Sequence, residues 1–222
     1  MIFLDRKEAG VRLAKELQRF EGRDPVVLAL PRGGVPVAFE VAQALDAPLD
    51  LVLVRKIGAP GQPELAVGAV VDGDHIEIVT NEELVAELGL TSAWLEKHAA
   101  HEVEEIERRR RLYFAGHDRP AIQGRTAIVV DDGIATGATT RAALRAVRRR
   151  QPKQLVLAVP VAPAETLEAL RSEVDEVVCL ETPWPFGAIG FFYRDFQQVG
   201  DDEVRDLLAR RARSKPRTTA EA

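Results

Sequence analysis

Five short runs of apolar, largely β-branched residues recur along this chain, with helical patterns between them. The runs are VVLAL (26–30), LVLVR (51–55), TAIVV (126–130), LVLAVPV (155–161) and EVVCL (176–180). Continuous apolarity over a few residues is typical of a strand covered on both faces, and strands that alternate with helices form right-handed β-α-β units. The pattern therefore predicts an α/β fold on an open parallel sheet of about five strands with flanking helices.

The pattern changes between residues 58 and 123. Two apolar runs, 65–71 and 75–80, flank an Asp-Gly pair, which predicts a β-hairpin. A long charged helix then runs from an N-cap at Ser92 to about residue 114. We expect this segment to project from the sheet as an insertion within a single domain over residues 1–222. The remaining helices are expected beside the strands, at residues 5–20, 35–45, 138–150 and 164–171.

Composition narrows the class of protein. The chain has 222 residues, 46% of them hydrophobic, and a formal charge of -5, which argues against a general nucleic-acid binder. Cys179 is the only cysteine, so no disulfide framework forms within the chain. The first ten residues lack the pattern of a secretory signal, and the longest apolar stretch, 155–164, is about half of the ~20 residues that span a membrane. We therefore expect a cytoplasmic protein without a membrane segment.

The segment most informative about chemistry is IVVDDGIATGATT, residues 128–140. It passes from a predicted buried strand to Asp131 and Asp132, and then through a loop of small residues into a helix. Side chains at the carboxyl ends of parallel strands emerge into the crevice where open α/β sheets bind ligands. Two carboxylates there can accept hydrogen bonds from vicinal hydroxyl groups, as on a ribose, or hold a divalent cation. Backbone N–H groups at a helix N-terminus predict a phosphate cradle, made of Ala135, Thr136, Gly137, Ala138, Thr139 and Thr140.

The alternative is a plain turn with Thr136 or Thr139 as a helix cap. Adjacent acids at the end of a strand repel each other unless something neutralises them, which favours a ligand site. The two commoner nucleotide motifs, GxxxxGK[ST] and GxGxxG, are absent from the sequence.

This segment resembles the signature of the type I phosphoribosyltransferases: four apolar residues, two acids and a small-residue TGxT loop. The resemblance implies that Asp131 and Asp132 hold the ribose hydroxyls of 5-phosphoribosyl-1-diphosphate (PRPP), and that residues 135–140 bind its 5-phosphate. It also implies a magnesium ion carried by PRPP, which the two acids contact directly or through the ribose or water. The implied fold is a five-stranded parallel sheet with a smaller hood, over nearly the whole chain.

A second segment, LPRGGVP (30–36), follows the first predicted strand. Its Gly33 and Gly34 allow close approach of the backbone to an anion, and Arg32 adds a fork of donors. The segment resembles the family's diphosphate loop, which implies a non-proline cis peptide bond between Pro31 and Arg32. A Gly-rich turn before a helix is the alternative.

A third segment supplies two cations at the end of the second predicted strand. Arg55 and Lys56 resemble the family's basic pair that reaches the diphosphate and acts in catalysis, and a solvated charge pair is the alternative. Residues 57–71 then stand in the place of the family's mobile catalytic loop, where Gly and Pro interrupt regular pairing and favour a lid. Loop, hairpin and helical arm together form an insertion over about residues 57–123.

Six of the twelve aromatic residues lie between residues 184 and 196. This stretch resembles the hood in which purine transferases stack the base, and it begins a hood and C-terminal segment at about 181–213. Trp184 or Phe186 is the predicted stacking platform, with core packing as the alternative for each ring. In transferases for 6-oxopurines an Asp usually stands two positions before the Gly of TGxT, where this chain has Ala135. The departure favours adenine, a pyrimidine or a non-standard amine as acceptor.

Three weaker patterns remain. His98, His101, Glu102 and Glu105 have helical spacing that suits a metal, but without a third fixed group a solvated helix face is favoured. Residues 108–111 are four arginines that follow three glutamates, so ion pairs are favoured over a nucleic-acid surface. Cys179, within a strand, is interpreted as a small buried hydrophobe.

These features together predict a phosphoribosyltransferase of nucleotide salvage, a pentosyltransferase that moves the phosphoribosyl group from PRPP to a nitrogenous base or amine and releases diphosphate. The acceptor stays open, and family resemblance implies a homo-oligomer, a dimer. The alternative is a regulator that senses PRPP or a nucleotide at the same site and acts on nucleic acid or protein through its arginine-rich helix. A serine hydrolase is disfavoured because no GxSxG is present.

Overall fold

The computed structural model describes residues 2–72, 76–114 and 119–214. The strands in these ranges are β1 (Pro25–Ala29), β2 (Leu49–Leu51), β3 (Val54–Ala59), β4 (Gln62–Asp72), β5 (Ile76–Thr80), β6 (Thr126–Val130), β7 (Gln154–Val161) and β8 (Glu176–Glu181). The α-helices are α1 (Arg6–Leu17), α2 (Gly34–Ala44), α3 (Glu82–Glu87), α4 (Ser92–Tyr113), α5 (Ala138–Arg149), α6 (Ala164–Leu170) and α7 (Asp201–Arg213). Within the described ranges no helix is both long and apolar enough to cross a bilayer.

The main sheet has five parallel strands in the order β2-β1-β6-β7-β8. The predicted parallel sheet is therefore confirmed. Both of its faces are buried: along β1, Val27 and Ala29 pack on one side and Val26 and Leu28 on the other. Helices α1, α2, α4 and α7 contribute to the core on the first side, and α5 and α6 on the second. This two-sided burial explains why the strands read as continuous apolar runs.

The prediction of one strand over residues 51–55 is wrong. Strand β2 ends at Leu51, and β3 begins at Val54 in a second sheet. The residues between them, Val52 and Leu53, are 2% and 1% exposed because they lie between the two sheets. The apolar run thus continues from β2 into β3 without a break. For this reason the sequence does not show where the chain passes from one sheet to the other.

The second sheet is antiparallel, in the order β3-β4-β5. Strands β4 and β5 pair from Gly68 with Thr80 to Asp72 with Ile76, which confirms the predicted hairpin. Asp72 of the predicted Asp-Gly turn ends β4, and the rest of the turn, residues 73–75, lies outside the described residues. Residues 57–71 lie in β3 and β4 and the turn between them, where Gly61 has a φ of +72°. The pairing of the two strands is interrupted around Gly58, where the register shifts. Mobility of this hairpin stays a prediction.

Helix α4 packs against the hairpin strands β3 and β4 and against α7, and its apolar side chains belong to the core on the first side of the main sheet. Its N-cap is Thr91, whose hydroxyl accepts the backbone N–H of Trp94 at 3.2 Å, and Ser92 is its first residue. The expected apolar face is confirmed, since the side chains at helical spacing are buried, namely Leu95, Ala99, Ile106 and Tyr113. Because these side chains cover the hairpin sheet, an arm free in solvent would leave them exposed.

Candidate functional site

The acid pair and the loop after β1 meet at one edge of the main sheet. Strands β1 and β6 are parallel neighbours, with Ala29 opposite Val130, so the segments that leave them run side by side. The backbone N–H of Leu30 donates to the carbonyl oxygen of Val130 at 2.9 Å. The predicted diphosphate loop therefore lies against Asp131 and Asp132, as the sequence patterns require.

Two glycines make this approach possible. A Cβ atom at Gly33 would lie 2.1 Å from Oδ2 of Asp132, and one at Gly34 would lie 2.8 Å from the carbonyl oxygen of Val130. The φ of Gly33 is -58°, which any residue adopts, so space and not backbone conformation requires glycine there. The peptide bond between Pro31 and Arg32 is cis, as the resemblance predicts.

Arg6 and Tyr193 hold Asp132, and neither was found by sequence reasoning. Arg6, the first residue of α1, donates its Nε–H to Oδ2 of Asp132 at 2.8 Å. The hydroxyl of Tyr193 donates to the backbone oxygen of Asp132 at 2.5 Å. Arg6 lies far from Asp132 in the chain and in no recognisable motif, and Tyr193 lies in the aromatic stretch that resembles the hood. Only the folded chain reveals that both contact Asp132.

Burial dominates the electrostatics of the acid pair. Asp132 is 7% exposed, and burial raises the pKa of both carboxyl groups. The neighbouring Asp132 charge raises the pKa of Asp131 further, whereas the Arg6 guanidinium lowers that of Asp132. Burial also raises the pKa of the Tyr193 hydroxyl, which keeps it a donor. Two buried acids with one arginine partner form a site suited to hydroxyl donors or to a further positive charge.

The predicted phosphate loop leads into α5. Gly137 is its N-cap with φ of +77°, a left-handed conformation that favours glycine. A Cβ there would also lie 2.9 Å from Cγ2 of Thr166, whose hydroxyl donates to the carbonyl oxygen of Ala135 at 2.8 Å. Ala135, Thr136 and Thr139 are exposed, Ala138 is half-buried and Thr140 is buried. The loop thus presents small residues and backbone to solvent at a helix N-terminus.

A cleft of about 650 Å³ lies between this loop and the hairpin sheet. Thr136, Ala138 and arginines of α5 line it on the side of the loop, and Lys56 lines it on the side of the hairpin sheet, with Glu82 and Glu83 also in the lining. Lys56 is therefore on the same side of the protein as the phosphate loop. A cation beside the loop suits an anionic ligand.

The structure separates Arg55 from Lys56, so the interpretation of both as a pair on one sheet edge is wrong. Successive side chains of a strand point to opposite faces. Arg55 accordingly points to α4, where its Nε–H donates to Glu102 at 2.6 Å, while Lys56 lines the cleft. The error came from reading residues 51–55 as one strand of the main sheet.

Arg32 has an acidic neighbour across the site. Its Nη1 lies 3.7 Å from Oδ1 of Asp201, the first residue of α7. Tyr113 donates a hydrogen bond to the same oxygen, and Nη1 of Arg108 lies 3.7 Å from the other oxygen. Burial and this hydrogen bond raise the pKa of Tyr113 to about 12. A diphosphate at this loop would therefore compete with Asp201 for the guanidinium of Arg32.

With this geometry in view, comparison with known proteins decides the family. The model of the phosphoribosyl transferase domain matches residues 5–195. The chain belongs to this family. It is 43% identical to the Thermus thermophilus protein TT1426, whose crystal structure superimposes with a TM-score of 0.82 and covers 95% of this chain and 99% of that one. The type I phosphoribosyltransferase fold predicted from the signature is thus confirmed.

Two curated relatives come from Mycobacterium tuberculosis strains CDC 1551 and H37Rv, and both are provisionally named phosphoribosyl transferases. Each is 46% identical to this chain over 209 residues, which are 94% of this chain. The match covers 47% of each relative, so the chain spans about half the length of these proteins.

In this phosphoribosyl transferase domain, the predicted stacking residues differ in exposure. Trp184 is 85% exposed, whereas Phe186 is half-buried with its ring centroid 5.0 Å from that of Phe192. Core packing therefore accounts for Phe186 and does not account for Trp184. Phe191 is also exposed, at 72%. A base-stacking role stays a prediction, and Trp184 is the better candidate for it.

The weaker patterns of the arginine-rich helix are explained by local contacts. Arg108 and Arg109 both donate to Glu105, and these hydrogen bonds lower its pKa to about 2. The His98 ring stacks on Trp94 at 3.8 Å. Among the described residues no group of three or more His, Cys, Asp or Glu side chains is arranged to hold a metal ion. Ion pairing, favoured on the sequence, thus accounts for this surface of α4.

Cys179 in β8 is half-buried, and its thiol lies 3.2 Å from the carbonyl oxygen of Glu181. Burial raises its pKa to about 11, so at neutral pH it is a thiol and not a nucleophilic thiolate. This agrees with its interpretation as a small apolar residue.

Proposed function

We propose that the chain binds PRPP with magnesium, transfers its phosphoribosyl group to a nitrogenous base or amine and releases diphosphate. The observation that carries the proposal is the contact of Gly33 with the Asp132 carboxylate, because it joins the diphosphate loop to the ribose acids in one place. Membership of the phosphoribosyl transferase domain family supports the same chemistry.

In this reaction the bond between ribose C1 and the diphosphate oxygen breaks, a bond between C1 and the acceptor nitrogen forms, and that nitrogen releases its proton. No covalent intermediate with the protein is required. Asp131 and Asp132 hold the ribose hydroxyls, while residues 135–140 bind the 5-phosphate. Arg32, the backbone of Gly33 and Gly34, and Lys56 across the cleft stabilise charge that moves to the leaving diphosphate. Arg55 donates to Glu102 on the side of α4, so the geometry supports Lys56 and not Arg55 in this role.

Magnesium neutralises charge on the diphosphate when PRPP brings it. Carboxylate oxygens are ligands that this ion accepts, and the half-buried Asp131 and the buried Asp132 would supply them. Because Arg6 already occupies Oδ2 of Asp132, the protein offers few direct ligands. Asp131 and Asp132 would therefore meet the metal mainly through the ribose or water.

The acceptor is proposed to be adenine, a pyrimidine or a non-standard amine. Ala135 offers no side-chain group to a 6-oxopurine, and its position on the exposed loop leaves room for another acceptor. The exposed Trp184 ring is the proposed stacking surface. A cytoplasmic location and a dimer are proposed as well. A product-resolved screen of nucleobases and amines with PRPP and magnesium tests the acceptor, and light scattering tests the dimer.

PRPP is expected to stabilise the chain. A ligand that binds only the folded state raises its stability by mass action, about 2.7 kcal/mol at a hundredfold excess over Kd. Differential scanning calorimetry with millimolar PRPP and magnesium should therefore show a higher Tm. An equal concentration of ribose without phosphates serves as the control, and no shift with PRPP would contradict the proposal.

Removal of one acid charge is expected to weaken PRPP binding while the fold survives. Charge-assisted hydrogen bonds contribute roughly 1.5–3 kcal/mol each, so Asp131→Asn or Asp132→Asn should cost about tenfold to hundredfold in affinity. If the pair formed only a turn, the same changes would relieve repulsion and leave affinity unaltered. Isothermal titration with PRPP, alongside the Tm of each variant, separates these outcomes.

The regulator described above differs from the enzyme in using PRPP as a signal without turnover. The structure gives less reason to expect that the arginines of α4 bind a nucleic acid or a protein, because they have acidic partners within the chain. Arg108 and Arg109 donate to Glu105, and Arg110 lies 3.2 Å from Asp72. PRPP binding with no product from any acceptor, together with salt-sensitive binding of RNA or DNA, would favour the regulator.

A further inference from the structure

We propose that Arg6 is a positioning residue for the ribose-binding acids and that it ties Asp132 to the hood. This inference rests on the proposed function. It concerns a residue at the start of α1, remote in sequence from both signature segments, that reaches the centre of the site.

The contacts of Arg6 fix its guanidinium on three sides. Nε donates to Oδ2 of Asp132 at 2.8 Å, and Nη1 donates to the backbone oxygen of Gln197 at 2.7 Å. The guanidinium carbon lies 3.8 Å from the ring centroid of Phe196, within range of a cation–π interaction. Only 12% of the Arg6 side chain is exposed. An arginine held this way has little freedom and defines the orientation of the carboxylate it binds.

The same contacts join the hood to the acids. The Phe196 ring stacks on Tyr193 at 4.9 Å, and Tyr193 donates to the backbone of Asp132. Tyr193 also pairs with Phe3 just before α1. Side chain and backbone of Asp132 are therefore both bound by residues of the hood or of the N-terminal segment beneath it. Displacement of the hood would alter the carboxylate that receives the ribose.

Charge gives Arg6 a second effect. The Asp132 carboxylate is bound by Arg6 from α1, whereas the Tyr193 hydroxyl binds the backbone oxygen of Asp132 and Gly33 brings no charge. Arg6 is thus the cation that offsets the burial of this acid, which is 7% exposed.

The test compares Arg6→Gln, Arg6→Lys and the control Lys7→Gln, which removes an exposed charge from the same helical turn. PRPP affinity with magnesium is measured by isothermal titration at pH 8. Arg6→Gln should lose about ten- to hundredfold in affinity, the effect of one charge-assisted hydrogen bond. Arg6→Lys retains the positive charge but not the planar set of guanidinium N–H donors, and its PRPP affinity should fall about three- to tenfold. Lys7→Gln should match the wild type.

Wild-type affinity in Arg6→Gln, or tighter binding, would overturn the inference and leave the proposed function standing. If Arg6→Gln does not fold, Arg6→Lys decides in the same way, because unaltered affinity in that variant contradicts a role for the guanidinium group. If the wild type binds no PRPP, the proposed function fails. Carbon-detected NMR at pH 8 then still decides the role of Arg6, since an Asp132 carboxylate chemical shift equal in the wild type and the variant would overturn it.

Discussion

Replacement of Arg119 by Ala is expected to lower the free energy of unfolding by about 3–5 kcal/mol, the usual cost of removing one partner of a buried ion pair. Its Nε and Nη1 each lie 3.0 Å from a carboxylate, of Asp50 and Asp72 respectively, and Nη2 donates to the backbone oxygen of Leu51 at 3.1 Å. The acid side chains are 4% and 0% exposed. Arg119 therefore links the end of β2 to the end of β4. In Arg119→Ala, two buried carboxylates lose a positively charged partner.

The pH dependence of this loss has a definite sign. Burial raises the pKa of Asp72 above its ordinary value, and Arg119 opposes that rise. The folded state therefore binds a proton more readily than the unfolded state, and the contribution of Asp72 to stability decreases as pH rises through its folded pKa. In Arg119→Ala the folded pKa is higher still. The destabilisation should thus be largest at neutral pH and shrink as pH falls toward the ordinary pKa of an aspartate.

Chemical denaturation at several pH values measures both effects. Arg111→Ala is the matched control, because Arg111 is 73% exposed and lies 3.7 Å from Glu107, a surface pair worth about 0–1 kcal/mol. An equal decrease in the free energy of unfolding in the two variants would show that Arg119 contributes no more than a surface cation. A loss that grows on acidification would contradict the electrostatic account.

Gly33→Ala is expected to reduce PRPP binding and turnover by about a hundredfold or more. The new Cβ would lie 2.1 Å from Oδ2 and 2.7 Å from Cγ of Asp132, so either the diphosphate loop or the carboxylate must shift. Displacement of a binding group by about 1 Å can cost about a hundredfold in rate. Oδ2 is also the atom that accepts from Arg6, so the methyl group disturbs that ion pair as well.

Gly200→Ala is the control for this change. No atom lies within 4 Å of a Cβ built at Gly200, whose φ is -85°. Its affinity for PRPP should equal that of the wild type, measured by isothermal titration. Binding by Gly33→Ala within a few fold of the wild type would mean that the loop and the acids do not need the spacing seen here, and would remove the observation on which the proposed function depends.

The sequence by itself determined the parallel sheet and the acid motif. Strands such as β6 are buried on both faces, and that burial demands an unbroken apolar run that can be read directly. Asp131 and Asp132 follow such a run within one local segment, and so does the small-residue loop up to Thr140. Local patterns of this kind survive in the linear sequence because the residues that act together are also neighbours along the chain.

The tertiary structure alone decided which distant residues reach that motif. Arg6 binds Asp132 across 126 residues of sequence, and Asp201 at the start of α7 lies 3.7 Å from Arg32, although neither contact has a periodic or spaced signature. Strand pairing decided what Arg55 and Lys56 contact, because residues 54–59 belong to the second sheet, where one face meets α4 and the other lines the cleft. Long-range ion pairs and the choice of sheet arise only when separate elements pack, because their energies depend on distances that the sequence does not contain.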